Sequence, residues 1–138
     1  MLLSLKPTIQ VEWSSQMECP KCFGEMDRVL EEGTNIERCR DCHGLYFDQL
    51  TQAMLEGIQG KVEIDTYSEQ IDETYDAMVY VDCPKCDRIM DQRMIEEPNR
   101  IRFELCPTCN SAFLDAGEFK QYTGSDYLQD FLSLLPEA

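Results

Sequence analysis

The chain has eight cysteines, all in C-x-x-C pairs: "CPKC" at 19–22, "CRDC" at 39–42, "CPKC" at 83–86 and "CPTC" at 106–109. A C-x-x-C turn aims two sulfurs at one point, so it can hold a metal, work as a dithiol or anchor a haem. The second pair runs into His43, which gives the C-x-x-C-H spacing of covalent haem attachment. Haem would use Cys39 and Cys42 for thioethers and His43 as axial ligand, leaving Cys19 and Cys22 without a role. No second histidine exists, and the matching stretch "CPTCNS" has Asn110 where His43 stands. The haem reading fails on these grounds, and His43 is expected as a surface residue on a turn.

Taken in twos, the pairs enclose 16 residues between Cys22 and Cys39 and 19 between Cys86 and Cys106. Two C-x-x-C turns facing each other across a short hairpin complete a tetrahedron of sulfurs, with Zn–S distances of about 2.3 Å. The expected ligands are Cys19, Cys22, Cys39 and Cys42 for one zinc, and Cys83, Cys86, Cys106 and Cys109 for a second. Rubredoxin-like iron is the alternative metal for four thiolates. A site closed by four sulfurs has no position for substrate or water, so the metal is structural. Its binding is folding energy, on the order of 10 kcal/mol per site. Four thiolates on a dication leave a charge of about -2, which backbone amides and the nearby Lys21, Arg38, Arg40 and Lys85 are expected to offset.

The elements that position these cysteines occur twice. The first pair maps on the third with an offset of 64 and the second on the fourth with an offset of 67. "CPKCFGEMD" parallels "CPKCDRIMD", and "LYFD" at 45–48 parallels "AFLD" at 112–115, which marks a tandem duplication. In the second unit "RIRFEL" alternates apolar and polar residues as a hairpin strand does, after a turn at Pro98 and Asn99. A turn at 33–35 serves the first unit. Asp115 with Glu118 is a capping-box arrangement that starts a helix. In the first unit Asp48 is the expected cap, with Thr51 in place of the glutamate. A further helix places Tyr127, Leu128, Phe131, Leu132 and Leu135 on one stripe, opened by Asp126 and closed by Pro136.

The fold class that follows is small, α+β and metal-stapled: two tandem zinc ribbons, each a β-hairpin with zinc knuckles followed by short helices. Residues 1–16 read as a poorly constrained extension, 17–56 as the first ribbon and its helix, 57–82 as an acidic linker with a short helix at 68–78, and 83–138 as the second ribbon with the C-terminal helices. Trp13 and Tyr67 read as packing residues. Hydrophobic residues make up 43% of the 138, enough for a core, but a core divided between two such units would be thin.

Charge narrows the function. A net -15, from 27 acids against 12 bases, opposes binding to phosphate backbones and anionic membranes and suits a basic protein partner. No apolar run reaches the length of a membrane span, and the start lacks a signal-peptide cleavage pattern. The expected compartment is the cytoplasm, where paired cysteines hold metal rather than disulfides.

The units resemble the transcription factor IIB-type zinc-ribbon family. That family has a "CPxC" knuckle, a hairpin, a second "CPxC" knuckle, two small residues, an aromatic, an aliphatic and "DxGEL". Here the second unit reads "CPTCNSAFLDAGEF"; the first reads "CRDCHGLYFDQL" and departs at Arg40, His43 and Gln49 to Thr51. The resemblance covers about 17–52 and 83–122 and implies zinc binding, a ribbon followed by a helix, and contact with the transcription machinery. The leading expectation is a non-catalytic adaptor with a protein partner, either RNA polymerase or a basic protein. Direct nucleic-acid binding through Arg88, Arg93, Arg100 and Arg102, with Phe103 for stacking, is the alternative. A thiol-based redox or zinc sensor is the third, and the apolar C-terminal stripe offers self-association or packing on its own ribbon.

Overall fold

The computed structural model describes residues 18–29, 36–58, 60–61, 64–65 and 80–137. The helix expected at 68–78, the turn at 33–35, Trp13, Tyr67 and the N-terminal extension lie outside these residues. The first ribbon consists of β1 (Met26–Arg28), β2 (Ile36–Cys39) and β3 (Leu45–Phe47), and helix α1 (Gln52–Ile58) follows. The second consists of β4 (Asp91–Ile95), β5 (Ile101–Leu105) and β6 (Ala112–Leu114), followed by α2 (Glu118–Tyr122) and α3 (Leu128–Ser133).

The ribbons join edge to edge. All six strands form one antiparallel sheet in the order β1-β2-β3-β6-β5-β4. In the central pair Leu45 faces Leu114, Tyr46 faces Phe113 and Phe47 faces Ala112. Phe113 is the repeat counterpart of Tyr46, so each half pairs with its own copy about a pseudo-twofold axis through these two rings.

Strand alternation then sorts the side chains. On one face Ile36, Leu45, Phe47, Ile101, Phe103, Leu105 and Leu114 pack with the helical residues Leu55, Phe119, Tyr122 and Phe131 in a single core. The expected thin cores are therefore merged, because both halves lay their helices on the same face of one sheet. The C-terminal stripe belongs to this core: Phe131 is buried, its ring 5.2 Å from Phe103 and edge-on, and Leu135 is buried beside it. Gln52 fixes the end of α3 by donating through Nε2 to the carbonyls of Leu132 (3.1 Å) and Leu135 (3.3 Å). On the opposite face Tyr46 and Phe113 pack beside Cys19, Met26 and Cys39.

The helix starts differ from the sequence expectation. Glu118 does reach back, accepting the Asp115 amide at 2.8 Å, but the Asp115 carboxylate faces Lys21 instead of the helix. The linker residue Asp65, fully buried, accepts the amides of Gly117 (2.9 Å) and Lys120 (3.1 Å) in its place. In the first half the cap is Thr51, whose Oγ1 accepts the Met54 amide at 3.3 Å, while Asp48 binds Lys85. Tyr127 occupies the N-cap of α3 and makes no side-chain capping bond, so Asp126 does not open the helix. Among the described residues no helix is long and apolar enough to cross a membrane.

Burial raises the Asp65 pKa, and the amides of Gly117 and Lys120 pull it back. Replacing Asp65 with alanine strands these buried donors. The variant is expected to lose about 1 kcal/mol of stability, read by denaturant unfolding of the zinc-loaded protein.

Candidate metal centres

The same knuckle is built four times. Its first cysteine amide donates to the carbonyl five residues on: Cys19 to Gly24, Cys39 to Gly44, Cys83 to Arg88 and Cys106 to Ser111. The amide just after the second cysteine returns to the first cysteine's carbonyl, in Phe23, His43, Asp87 and Asn110. Each of those four residues has a left-handed backbone, with φ between 61° and 65°. Asn, Asp and His tolerate that region, but a bulky Phe is strained in it.

The folded knuckles gather the cysteines as the spacing predicts. Cys19, Cys22, Cys39 and Cys42 bring their sulfurs within 4.8 Å of one another, as do Cys83, Cys86, Cys106 and Cys109. Individual separations are 3.8 Å for Cys19–Cys42, 3.3 Å for Cys22–Cys39 and 3.7 Å for Cys83–Cys109. A zinc ion with bonds of about 2.3 Å needs a tetrahedron edge of about 3.8 Å, so both groups are suited to one zinc each. Backbone amides already point at the sulfurs, Lys21 N to Cys19 at 3.4 Å, Asp41 N to Cys39 at 3.3 Å and Lys85 N to Cys83 at 3.4 Å. The sulfurs compete for protons: Cys19 drops to about 6 because Cys42 hydrogen-bonds to it, while Cys42 is pushed up. A dication resolves that conflict by letting all four ionise. His43 is half-buried on the knuckle and makes no part of the four-sulfur group.

The basic residues expected to balance the sulfurs mostly have other partners. Arg40 pairs with Glu25 (2.6 Å) and Asp27 (2.8 Å) on the surface, and Arg38 donates to the Ile64 carbonyl at 3.0 Å. Lys21 is 3% exposed and crosses the pseudo-twofold to Asp115 (2.9 Å) and Glu104 (3.0 Å) in the other ribbon. Its repeat counterpart Lys85 crosses in the opposite sense to Asp48 at 3.1 Å. Lys85 also feels the sulfurs: burial pulls its pKa down, and Asp48, Cys109 and Cys83 more than restore it.

Two residues beyond the fourth cysteine of each centre the halves diverge. Gly44 lies under the Phe113 ring, whose Cζ and Cε2 any Cβ at 44 would overlap. Its counterpart Ser111 is fully buried, with Oγ 3.2 Å from both Cys83 Sγ and Cys109 Sγ. Sequence reasoning missed the two lysine clamps, Ser111 and the Asp65 cap. The lysines were visible as the repeated x of "CPKC", but nothing local shows that their partners lie across the sheet.

Two of the four arginines proposed for nucleic acid, Arg93 and Arg102, are placed by the strand register. Arg93 stands opposite Phe103 and Arg102 opposite Met94 in the β4–β5 register, so the two alternate faces. Phe103 is buried in the core and has no face for a base.

Two outcomes follow from the strained and charged positions. Phe23 is 70% exposed, so its replacement by glycine removes backbone strain at the cost of little packing. The Phe23→Gly protein is expected to gain about 1 kcal/mol, read by thermal unfolding at constant zinc. Glu104 is pushed up to about 7 by burial, with Lys21 opposing and Asp115 adding. Between the ordinary carboxylate value and about 7 the folded state holds the extra proton, so this group's contribution to stability falls as pH rises through that window. Wild type minus Glu104→Gln is therefore expected to decline from pH 5 to pH 8 in paired unfolding measurements; zinc loss at low pH is common to both and cancels.

A model of the transcription factor zinc-finger family matches residues 18–51. No curated protein and no solved structure matches the chain. The matched span holds the first knuckle pair, β1 to β3 and the Thr51 cap, and the second half repeats that construction around Cys83, Cys86, Cys106 and Cys109. Residues 18–51 are thus similar to a transcription factor zinc-finger ribbon, and the structure joins them in one sheet to a second four-cysteine ribbon.

Proposed function

We propose that the chain is a non-catalytic, cytoplasmic zinc-binding adaptor that docks on a protein of the transcription machinery. The observation that carries this reading is the commitment of all eight cysteines to two closed four-sulfur groups. A saturated zinc has no site for water or substrate, which supports a non-catalytic role. The family match at 18–51 supports the transcription context. The net charge of -15 supports a basic docking face on the partner, and the exposed side chains Phe23, Ile89 and Met94 offer apolar contacts.

The test is a binding assay of the zinc-loaded protein with purified RNA polymerase from its host. Stoichiometric co-elution at physiological salt is expected, weakened about tenfold or more by Phe23→Ser with zinc content unchanged. Absence of co-elution, or a band shift with DNA or RNA alone at that salt, would overturn the reading.

A further inference from the structure

The two four-sulfur groups match in spacing and in exposure, each having two buried and two half-buried cysteines. Their surroundings do not match. At the second centre the Ser111 hydroxyl, buried and 3.2 Å from Cys83 Sγ, can donate to that sulfur as a metal-bound thiolate, with Cys109 Sγ also 3.2 Å away. Beside it lies the Tyr46 hydroxyl, brought across the pseudo-twofold and buried next to Ser111. The Lys85 ammonium adds positive charge on the same side. At the first centre both hydroxyls are missing, and the counterpart lysine has two carboxylate partners. Gly44 has no side chain, Phe113 stands where Tyr46 would, and Lys21 is held between Asp115 and Glu104.

Hydrogen bonds and nearby cations draw electron density from a thiolate, which lowers its nucleophilicity and holds it as a ligand. These donors set the second centre apart from the first. We infer that the two centres are chemically unequal: the zinc held by Cys19, Cys22, Cys39 and Cys42 is released first to thiol-directed electrophiles, and Ser111 is a positioning residue that protects the second centre. In the reaction a zinc-bound thiolate adds to an electron-poor alkene. The S–C bond forms as the π bond breaks, the carbanion takes a proton from water, and the thioether no longer holds the metal. The inference goes beyond the adaptor reading and needs only that both groups carry zinc.

The experiment treats the full-length zinc protein with excess N-ethylmaleimide in the presence of a chromophoric chelator. Metal analysis beforehand checks the premise of two zincs per chain, and a count below two overturns the inference with its premise. Two release phases are expected, and peptide mass spectrometry should place label on the first four cysteines during the fast one. Ser111→Ala should retain both metals and accelerate only the slow phase, by about tenfold. Ser111→Gly, which copies Gly44, gives a second reading of the same phase. A single phase, earlier labelling of Cys83 to Cys109, or a slow phase indifferent to both Ser111 variants would overturn the inference. Because the order of labelling is read in the unmodified protein, it does not depend on either variant folding.

Discussion

The pairing of Leu45–Phe47 with Ala112–Leu114 sets the arrangement of everything else in the chain. A three-stranded ribbon of this size leaves its third strand as an open edge, with unpaired backbone groups and one apolar face to cover. Here each open edge is closed by its own duplicate, in a register that puts Tyr46 directly opposite Phe113. That single contact makes one sheet from two ribbons and gives the helices of both halves the same face to cover. The shared core from Ile36 to Leu135 exists because of it. The symmetry is that of an isologous dimer interface folded into one chain.

The same axis explains the lysine in each "CPKC". Placed on the first knuckle of one ribbon, the side chain points over the joint to the aspartate that ends the central strand of the other, Lys21 to Asp115 and Lys85 to Asp48. A knuckle keeps its shape only while its sulfurs are held together, so each metal centre also orders a cross-ribbon ion pair. Buried as it is, the Lys21–Asp115–Glu104 group contributes specificity of pairing more than net stability, since desolvation offsets most of the attraction. Lys85 and Asp48 are about 40% exposed, and their pair is worth little by itself.

Most of the centres and less of the architecture were legible in the sequence. Cysteine spacing names the ligands because a C-x-x-C turn has few conformations and tetrahedral zinc accepts one arrangement of four sulfurs. The duplication separated His43 from the design, since Asn110 takes the same left-handed position with no imidazole. What stayed hidden was long-range. The alternation in "RIRFEL" reports which residues share a face, and it correctly groups Ile101, Phe103 and Leu105, but it carries no information about the strand beyond the edge. Capping residues were misassigned for the same reason. Asp115 and Asp48 have the right local spacing for a cap, yet each has a lysine from the other ribbon within 3.1 Å, and Asp65 and Thr51 bind the helix amides in their place.

Duplication followed by fusion leaves two copies free to diverge, provided that changes across the axis remain compatible. The pair at the joint shows how that constraint acts. Phe113 lies over residue 44, where only glycine leaves room for the ring. Tyr46 is the counterpart of Phe113 and Ser111 the counterpart of Gly44, and here a hydroxyl stands beside a hydroxyl close to Cys83 and Cys109. Exchanging one member alone is costly on either side: a side chain at 44 meets the Phe113 ring, and glycine at 111 leaves the Tyr46 hydroxyl still buried beside an empty space. The joint therefore fixes a dry apolar contact at the first centre and a polar one at the second, although the two sets of cysteines are alike. Differences between the metal centres arise from the strand that crosses to each, so the sheet that unites the halves is also what distinguishes them.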